Sequence, residues 1–331
     1  MTYQDVLAAA RTCSGPYCKA CPVCNGRACG STMPGPGSKG TGTVAVRNYE
    51  AWQSLCLNMD TICENKPVDT RFSFFGEAYQ LPVFAGPVGA VNLHYGDKFN
   101  DMEYNNILVP ACADAGIAAF TGDGTNPDVF TAAAAAIGAA GGRGIPTVKP
   151  WDRDTLYAKL DSAKASGAKV FAMDIDAAGL PFLKGLTPPA GSKTVQELRE
   201  IIEYVKLPFL IKGIMTAAGA RKALEAGASG IIVSNHGGPA TAQVLPAIAD
   251  AVKGQMTILV DGGIRTGVDV CKALALGADG VLLARPYVTA VYGGGAEGVR
   301  LLTQKLKGEL EDTMAMCGVH SLSEISRELL F

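Results

Sequence analysis

Eight short apolar runs, each ending abruptly in glycine or polar residues, punctuate the chain from residue 82 onward. They are Pro82–Ala85, Ile117–Thr121, Ile145–Val148, Val170–Asp174, Leu210-Ile211-Lys212-Gly213, Ile231-Ile232-Val233-Ser234, Ile258-Leu259-Val260-Asp261 and Val281-Leu282-Leu283-Ala284. Unbroken apolarity over so few residues predicts strands covered on both faces, as in a parallel sheet. Segments of helical pattern separate them: Met102–Ala115, Val129–Ala139, Asp154–Ala165, Val195–Tyr204, Thr216–Ala226 and Gly267–Leu276. Three helix–strand joins repeat one phrase, Ser166-Gly167-Ala168, Ala226-Gly227-Ala228 and Leu276-Gly277-Ala278. Glycine there is the expected helix C-cap. Repeated strand–tip–helix units predict the α/β class and a (β/α)₈ TIM barrel, with its chemistry at the strand C-termini.

The pattern before residue 82 is different. Gln4–Arg11 and Asn48–Asn58 read as helices, and Glu297–Met316 as a terminal one. Between the first two lie clustered cysteines and the Pro/Gly-rich stretch Met33-Pro34-Gly35-Pro36-Gly37-Ser38-Lys39-Gly40, which interrupts regular structure. Residues 1–50 are therefore expected as a cysteine-rich extension and 51–331 as the barrel.

Composition narrows the function. The chain has 331 residues, a net charge of −2 and only 18% charged residues. That balance argues against nucleic acid or a membrane surface as partner. No apolar run reaches the roughly 20 residues needed to cross a bilayer, and the start lacks signal-peptide features. A cytoplasmic homo-oligomer acting on a small molecule is the expectation. Five of the ten cysteines fall within Cys13–Cys29. A large cytoplasmic chain does not need disulfides, so the clustering points to metal or redox use. Cys18-x₂-Cys21-x₂-Cys24-x₄-Cys29 has the close spacing of iron–sulfur ligands. Zinc prefers two separated pairs, although four thiolates can take it. Reduced thiols packed in a small lobe are the third reading.

The last four strand tips bring a lysine, a histidine, an aspartate and two arginines among glycines, a set suited to a phosphate and a redox or acid–base site. Ile211-Lys212-Gly213, Ser234-Asn235-His236-Gly237-Gly238, Asp261-Gly262-Gly263-Ile264-Arg265-Thr266-Gly267 and Lys272–Ala278 resemble the FMN-dependent α-hydroxy acid oxidase/dehydrogenase family, which includes glycolate oxidase and lactate oxidase. The tail Asp312–Gly318 resembles it too. The likeness is specific from about residue 205, looser over 81–204, and absent from the cysteine-rich start.

The resemblance implies oxidation of a 2-hydroxy acid by hydride transfer to flavin N5. His236 is then the base, Asp176 its carboxylate partner, and Lys212 the neighbour of the flavin N1–C2 carbonyl. Ser234 contacts the flavin, Asp261 the ribityl hydroxyls, and Arg265 and Arg285 the phosphate. Pro87, Thr121, Gly262, Gly263 and Ala284 complete the implied cofactor contacts. The chemistry agrees. A fixed lysine stabilises charge left near N1, and a carboxylate on one imidazole nitrogen sets the tautomer that lets the other accept a proton. Two arginines offer forked contacts to a phosphate.

The substrate side departs from the family. Gly238 runs directly into Pro239-Ala240-Thr241, where the family carries a substrate-binding arginine and several further residues. Either that loop is deleted or the join marks a gap, and a gap is the expectation. No tyrosine follows the third strand, which ends Val148-Lys149-Pro150-Trp151. Lys149 and Lys184 are the substrate candidates, with Asp123, Asn126, His94 and Tyr95 as further tip residues. Two alternatives stay open. One is an FMN barrel with other chemistry, such as a flavin isomerase or an oxidoreductase for a larger substrate. The other is a non-catalytic flavoprotein electron-transfer partner. An iron–sulfur centre would favour an electron-carrier protein over oxygen as acceptor.

Overall fold

The computed structural model describes residues 1–29, 42–179, 183 and 185–331. Helices α1 (Tyr3–Arg11) and α2 (Val44–Gln53) precede a hairpin of β1 (Phe72–Phe74) and β2 (Glu77–Tyr79). Then come β3 (Val83–Ala85), α3 (Val91–Tyr95), α4 (Asp101–Asp114), β4 (Ala118–Thr121), α5 (Pro127–Ala139), β5 (Ile145–Val148), α6 (Arg153–Ala165) and β6 (Phe171–Asp174). The second half is α7 (Val195–Val205), β7 (Phe209–Ile214), α8 (Ala217–Glu225), β8 (Gly230–Val233), α9 (Thr241–Val252), β9 (Thr257–Val260), α10 (Gly267–Ala275), β10 (Gly280–Leu283) and α11 (Arg285–Met316). Strands β3 to β10 close into a parallel barrel in the order β10-β3-β4-β5-β6-β7-β8-β9. This is the (β/α)₈ barrel that the eight apolar runs predict. None of the described helices is long and apolar enough to cross a membrane.

Strand parity explains where the chemistry lies. Side chains alternate along a strand, and one set fills the barrel interior: Phe84, Phe120, Ile145, Ala172, Leu210, Ile232, Leu259 and Leu282. Intervening residues such as Met173, Ile211, Val233 and Val260 pack outward against the helices. Two residues beyond seven of these eight interior residues, at the C-terminal mouth, stand Gly122, Thr147, Asp174, Lys212, Ser234, Asp261 and Ala284. The polar tips therefore face one another because they share the parity of the core.

The N-terminal end of the barrel is plugged. Phe74 on the hairpin packs on Phe84 with ring centroids 4.9 Å apart, and Phe84 meets Phe120 edge-on at 5.6 Å. Lys169, just before β6, pairs with Glu77 of the hairpin, which fixes the hairpin at that end. Its strands are too short to be distinct in the sequence pattern.

Two helices differ from expectation. Helix α2 starts at Val44 and stops at Gln53, where the Ser54 hydroxyl turns back onto the Ala51 carbonyl at 2.8 Å. Helix α11 carries the expected Glu297–Met316 as the part after a kink at Gly295, where φ is +56°, and adds a first part that starts at Arg285.

Candidate active site at the barrel mouth

The mouth holds a cavity of about 380 Å³, within the range of small-molecule sites. Its floor is the ring of inward tips described above. Lys212 Nζ donates to Asp174 Oδ1 at 2.9 Å and lies 3.8 Å from Asp261 Oδ2. Burial alone would lower the lysine, but Asp174, Asp261 and Asp176 hold it well above its ordinary value. Asp174 is the mirror case. Burial would raise it, yet Lys212, His236 and Lys149 hold it well below the usual carboxylate range. Asp261 is pushed up by burial, partly offset by Lys212 and by the Ser234 hydroxyl, which donates to its Oδ2 at 2.8 Å.

Asp176 follows Asp174 by two residues, in a 3₁₀ turn spanning Ile175–Gly179. Its Oδ2 meets His236 Nδ1 at 2.8 Å. Gly213 makes room for it. The β7–β8 register slips there, φ is +103°, and an added Cβ would lie 2.7 Å from Asp176 Oδ1. Asp174, Asp176 and His236 are also close enough to hold a metal ion. The Lys212 ammonium already supplies the positive charge beside Asp174, so the cluster reads as an acid–base site.

Helix α2 braces the β9 tip. Trp52 Nε1 donates to the Gly262 carbonyl at 2.7 Å, and Asn48 links Asn235 and the Thr241 amide. Gly262 and Gly263 have φ of +88° and +84°. A Cβ on Gly263 would lie 2.4 Å from the Asn48 backbone carbon. These glycines thus admit the helix, a different use from the close phosphate approach that the sequence suggests.

The two arginines divide their work. Arg265 spends Nε on the Cys24 carbonyl at 2.8 Å, Nη1 on its neighbour Ile264, and Nη2 on Cys24 Sγ at 3.6 Å. Arg285 lines the cavity, and its buried Nη1 has no hydrogen-bond partner among the described residues.

Pro87, Ser234, Asp261, Ala284 and Lys149 also line the cavity. Thr121 does not: it has the outward parity, and Gly122 takes its place at the mouth. Lys184 lies outside the described residues. Asp123 is consumed structurally, accepting from Trp151 Nε1 at 2.6 Å, from the Lys149 amide at 2.9 Å and from Lys159. Asn126 caps α5. His94 lines the cavity, and burial and the Lys149 charge lower its pKa. In the sequence Gly238 is followed directly by Pro239, and both are held in place. Asn235 Nδ2 donates to the Pro239 carbonyl at 2.7 Å, and Arg47 grips the Gly238 carbonyl at 2.8 Å.

Sequence reasoning weighs Asp174 only as an alternative to Asp176, and passes over Thr147 and Asn48. Asp174 and Thr147 could have been found from the two-residue step beyond each interior position. No signal in the pattern marks Asn48, whose role depends on a contact between distant segments.

An arginine whose buried Nη1 has no partner among the described residues, a buried lysine ringed by carboxylates and a histidine–aspartate pair gather around one barrel mouth. The model of the FMN-dependent dehydrogenase family matches residues 36–182 and 187–331, and the chain belongs to that family. A stretch of 141 residues, 41% of the chain, is 47% identical to the peroxisomal (S)-2-hydroxyacid oxidase GLO3 of Arabidopsis thaliana. A stretch of 149 residues, 43% of the chain, is 46% identical to the L-lactate dehydrogenase of Xanthobacter autotrophicus. Each stretch spans 38% of the relative's own length. Among solved structures, a mandelate oxidase variant with 2-hydroxy-phenylacetamide superposes with a TM-score of 0.79 at 27% identity, covering 100% of this chain and 97% of that one. Another mandelate oxidase variant, carrying an FMN adduct, gives 0.75 at 27% identity, covering 99% and 98%.

Proposed function

We propose that this chain oxidises a 2-hydroxy acid with FMN bound in the barrel mouth. The observation that carries the reading is the 2.8 Å contact between His236 Nδ1 and Asp176 Oδ2 beside the buried Lys212. The residues fit the cofactor: the orphan Nη1 of Arg285 awaits an anion, and Lys212 and Ser234 line the same cavity. Arg285 would hold the phosphate, with Arg265 bracing the loop beside it. Lys212 and Ser234 would face the flavin ring, and Asp261 the ribityl chain.

Asp176 holds the Nδ1 proton of His236, which leaves the Nε2 lone pair to take the substrate hydroxyl proton. Bound FMN supplies the acceptor for the α-hydrogen and its electron pair. Asp176 then stabilises the imidazolium, and Lys212 stabilises the charge gained by the ring. Lys149 is the cation placed to receive the substrate carboxylate, since Gly238 leads directly to Pro239. The product is the 2-oxo acid.

Addition of glycolate, lactate or mandelate to the oxygen-free holoprotein should bleach the flavin band. His236→Ala should slow that reduction by roughly 10²–10⁴-fold with FMN still bound. Loss of FMN in the variant would make His236 a structural residue. Failure of every 2-hydroxy acid would favour the isomerase or larger-substrate reading, to which the apolar lining at Leu93, Leu183 and Leu186 also lends itself.

A further inference from the structure

We infer that Cys18, Cys21, Cys24 and Cys29 hold a [4Fe–4S] cluster against the two arginines at the edge of the cofactor cavity. Its position beside a flavin rests on the function proposed above, but the cluster itself does not.

Residues 12–29 form neither helix nor strand. They are held by the packing of Cys13, Tyr17, Cys18, Ala20 and Cys29 on the barrel core and by a few polar contacts. Arg11 Nε binds the Ala20 carbonyl at 3.0 Å, the Gly15 amide binds the Tyr95 carbonyl at 3.0 Å, and Arg265 binds the Cys24 carbonyl. An irregular segment with so little core of its own is stabilised when a metal centre ties it together. All four cysteines are half-buried, and Cys24 lies within electrostatic reach of Cys18, Cys21 and Cys29.

Two sulfurs already receive donors of the kind that tune a cluster. The Ala20 amide donates to Cys18 Sγ at 3.5 Å, from a turn in which Ala20 adopts a φ of +42°. Arg265 Nη2 donates to Cys24 Sγ at 3.6 Å. Hydrogen bonds to sulfur and nearby charge are the protein's means of setting a cluster's potential. Arg285 is also within electrostatic reach of Cys18 and Cys29. Two cations thus face a ligand set that becomes anionic when it binds iron.

The close Cys-x₂-Cys-x₂-Cys spacing favours iron–sulfur over zinc, which prefers two separated pairs.

Cys24 touches an arginine that lines the cavity, while Val23 beside it is 52% exposed. The loop therefore connects the cofactor site with solvent. The two electrons taken from each substrate would leave singly through the cluster to a one-electron carrier protein, and the two protons would pass to water.

The test is metal analysis of the full chain purified without oxygen. About four iron and four acid-labile sulfide per chain are expected, with broad visible absorption that persists after the flavin is removed and an electron paramagnetic resonance signal on reduction by dithionite. Cys21→Ser should lose the iron and that signal yet keep its far-ultraviolet circular dichroism, and Cys56→Ser, at an exposed cysteine, should lose neither. Stoichiometric zinc, or a chain that takes up no iron on reconstitution with iron and sulfide, would overturn the inference. Iron without flavin would support the cluster and count against the FMN reading alone.

Discussion

Lys212 Nζ and Asp174 Oδ1 sit 2.9 Å apart with side chains only 7% and 10% exposed. Their charges hold each other in place at the centre of the mouth. Removing one partner strands the other in a poorly solvated site. In the cofactor-free protein, Asp174→Asn should cost about 3–5 kcal/mol, measured by urea unfolding at neutral pH, and Asp174→Asn/Lys212→Met should recover part of it. The pH dependence has a definite sign. Asp174 is held below its ordinary value, so its contribution is complete above roughly pH 4. It is lost as pH falls through the lower folded value, and Asp174→Asn should flatten that acid limb.

The Asp176 carboxylate depends on the missing side chain at Gly213. Gly213→Ala should displace it from His236 and slow flavin reduction by about 10²-fold, with FMN affinity kept. Stopped-flow reduction and flavin titration separate the two effects. An unchanged rate would show that Asp176 does not orient the base.

Gly263→Ala attacks the brace instead. The new methyl would overlap the Asn48 backbone at 2.4 Å under a φ of +84°. A stability loss of at least about 1–3 kcal/mol is expected from the strained backbone alone, together with weakened FMN binding as α2 moves away. Thermal unfolding with and without added FMN reads both.

Arg285→Met removes the unpartnered donor. Charged hydrogen bonds contribute about 1.5–3 kcal/mol, so FMN should bind about 10–100-fold more weakly by fluorescence quenching. Equal affinity would move the phosphate elsewhere.

His94 should titrate below the ordinary histidine value near 6.5, because burial and Lys149 both disfavour its charged form. Lys149→Met should shift its proton resonance titration upward. The same depression costs stability as pH falls below about 6.5, because the unfolded chain then binds the proton more readily than the folded one.

Much of this was legible because a parallel barrel strand is apolar on both faces and stops where its chemistry begins. The eight runs marked the strands, and the tip at Ser234–Gly238 marked His236. What the pattern could not supply depends on closure. Asp174 gains its meaning only when β6 and β7 lie side by side. Arg265 is a tip cation in the sequence, but Cys24 occupies it from more than two hundred residues away. The positive φ of Gly262 and Gly263 could be anticipated, whereas the partner they admit, Asn48, could not. The terminal helix Glu297–Met316 was legible, whereas the helical part before it, from Arg285 to the kink at Gly295, was not.

The aromatic hairpin beneath the barrel gives the site a single door. With Phe74, Phe84 and Phe120 filling the lower end, nothing can leave by the way opposite to its entry. Were FMN held in the mouth by Arg285, Lys212 and Ser234, substrate and product would share the side that it leaves open. Turnover then has a fixed order: each oxidised molecule departs before the next can approach. A product analogue should therefore compete directly with substrate, and whatever drains electrons from the reduced flavin must reach it from the rim.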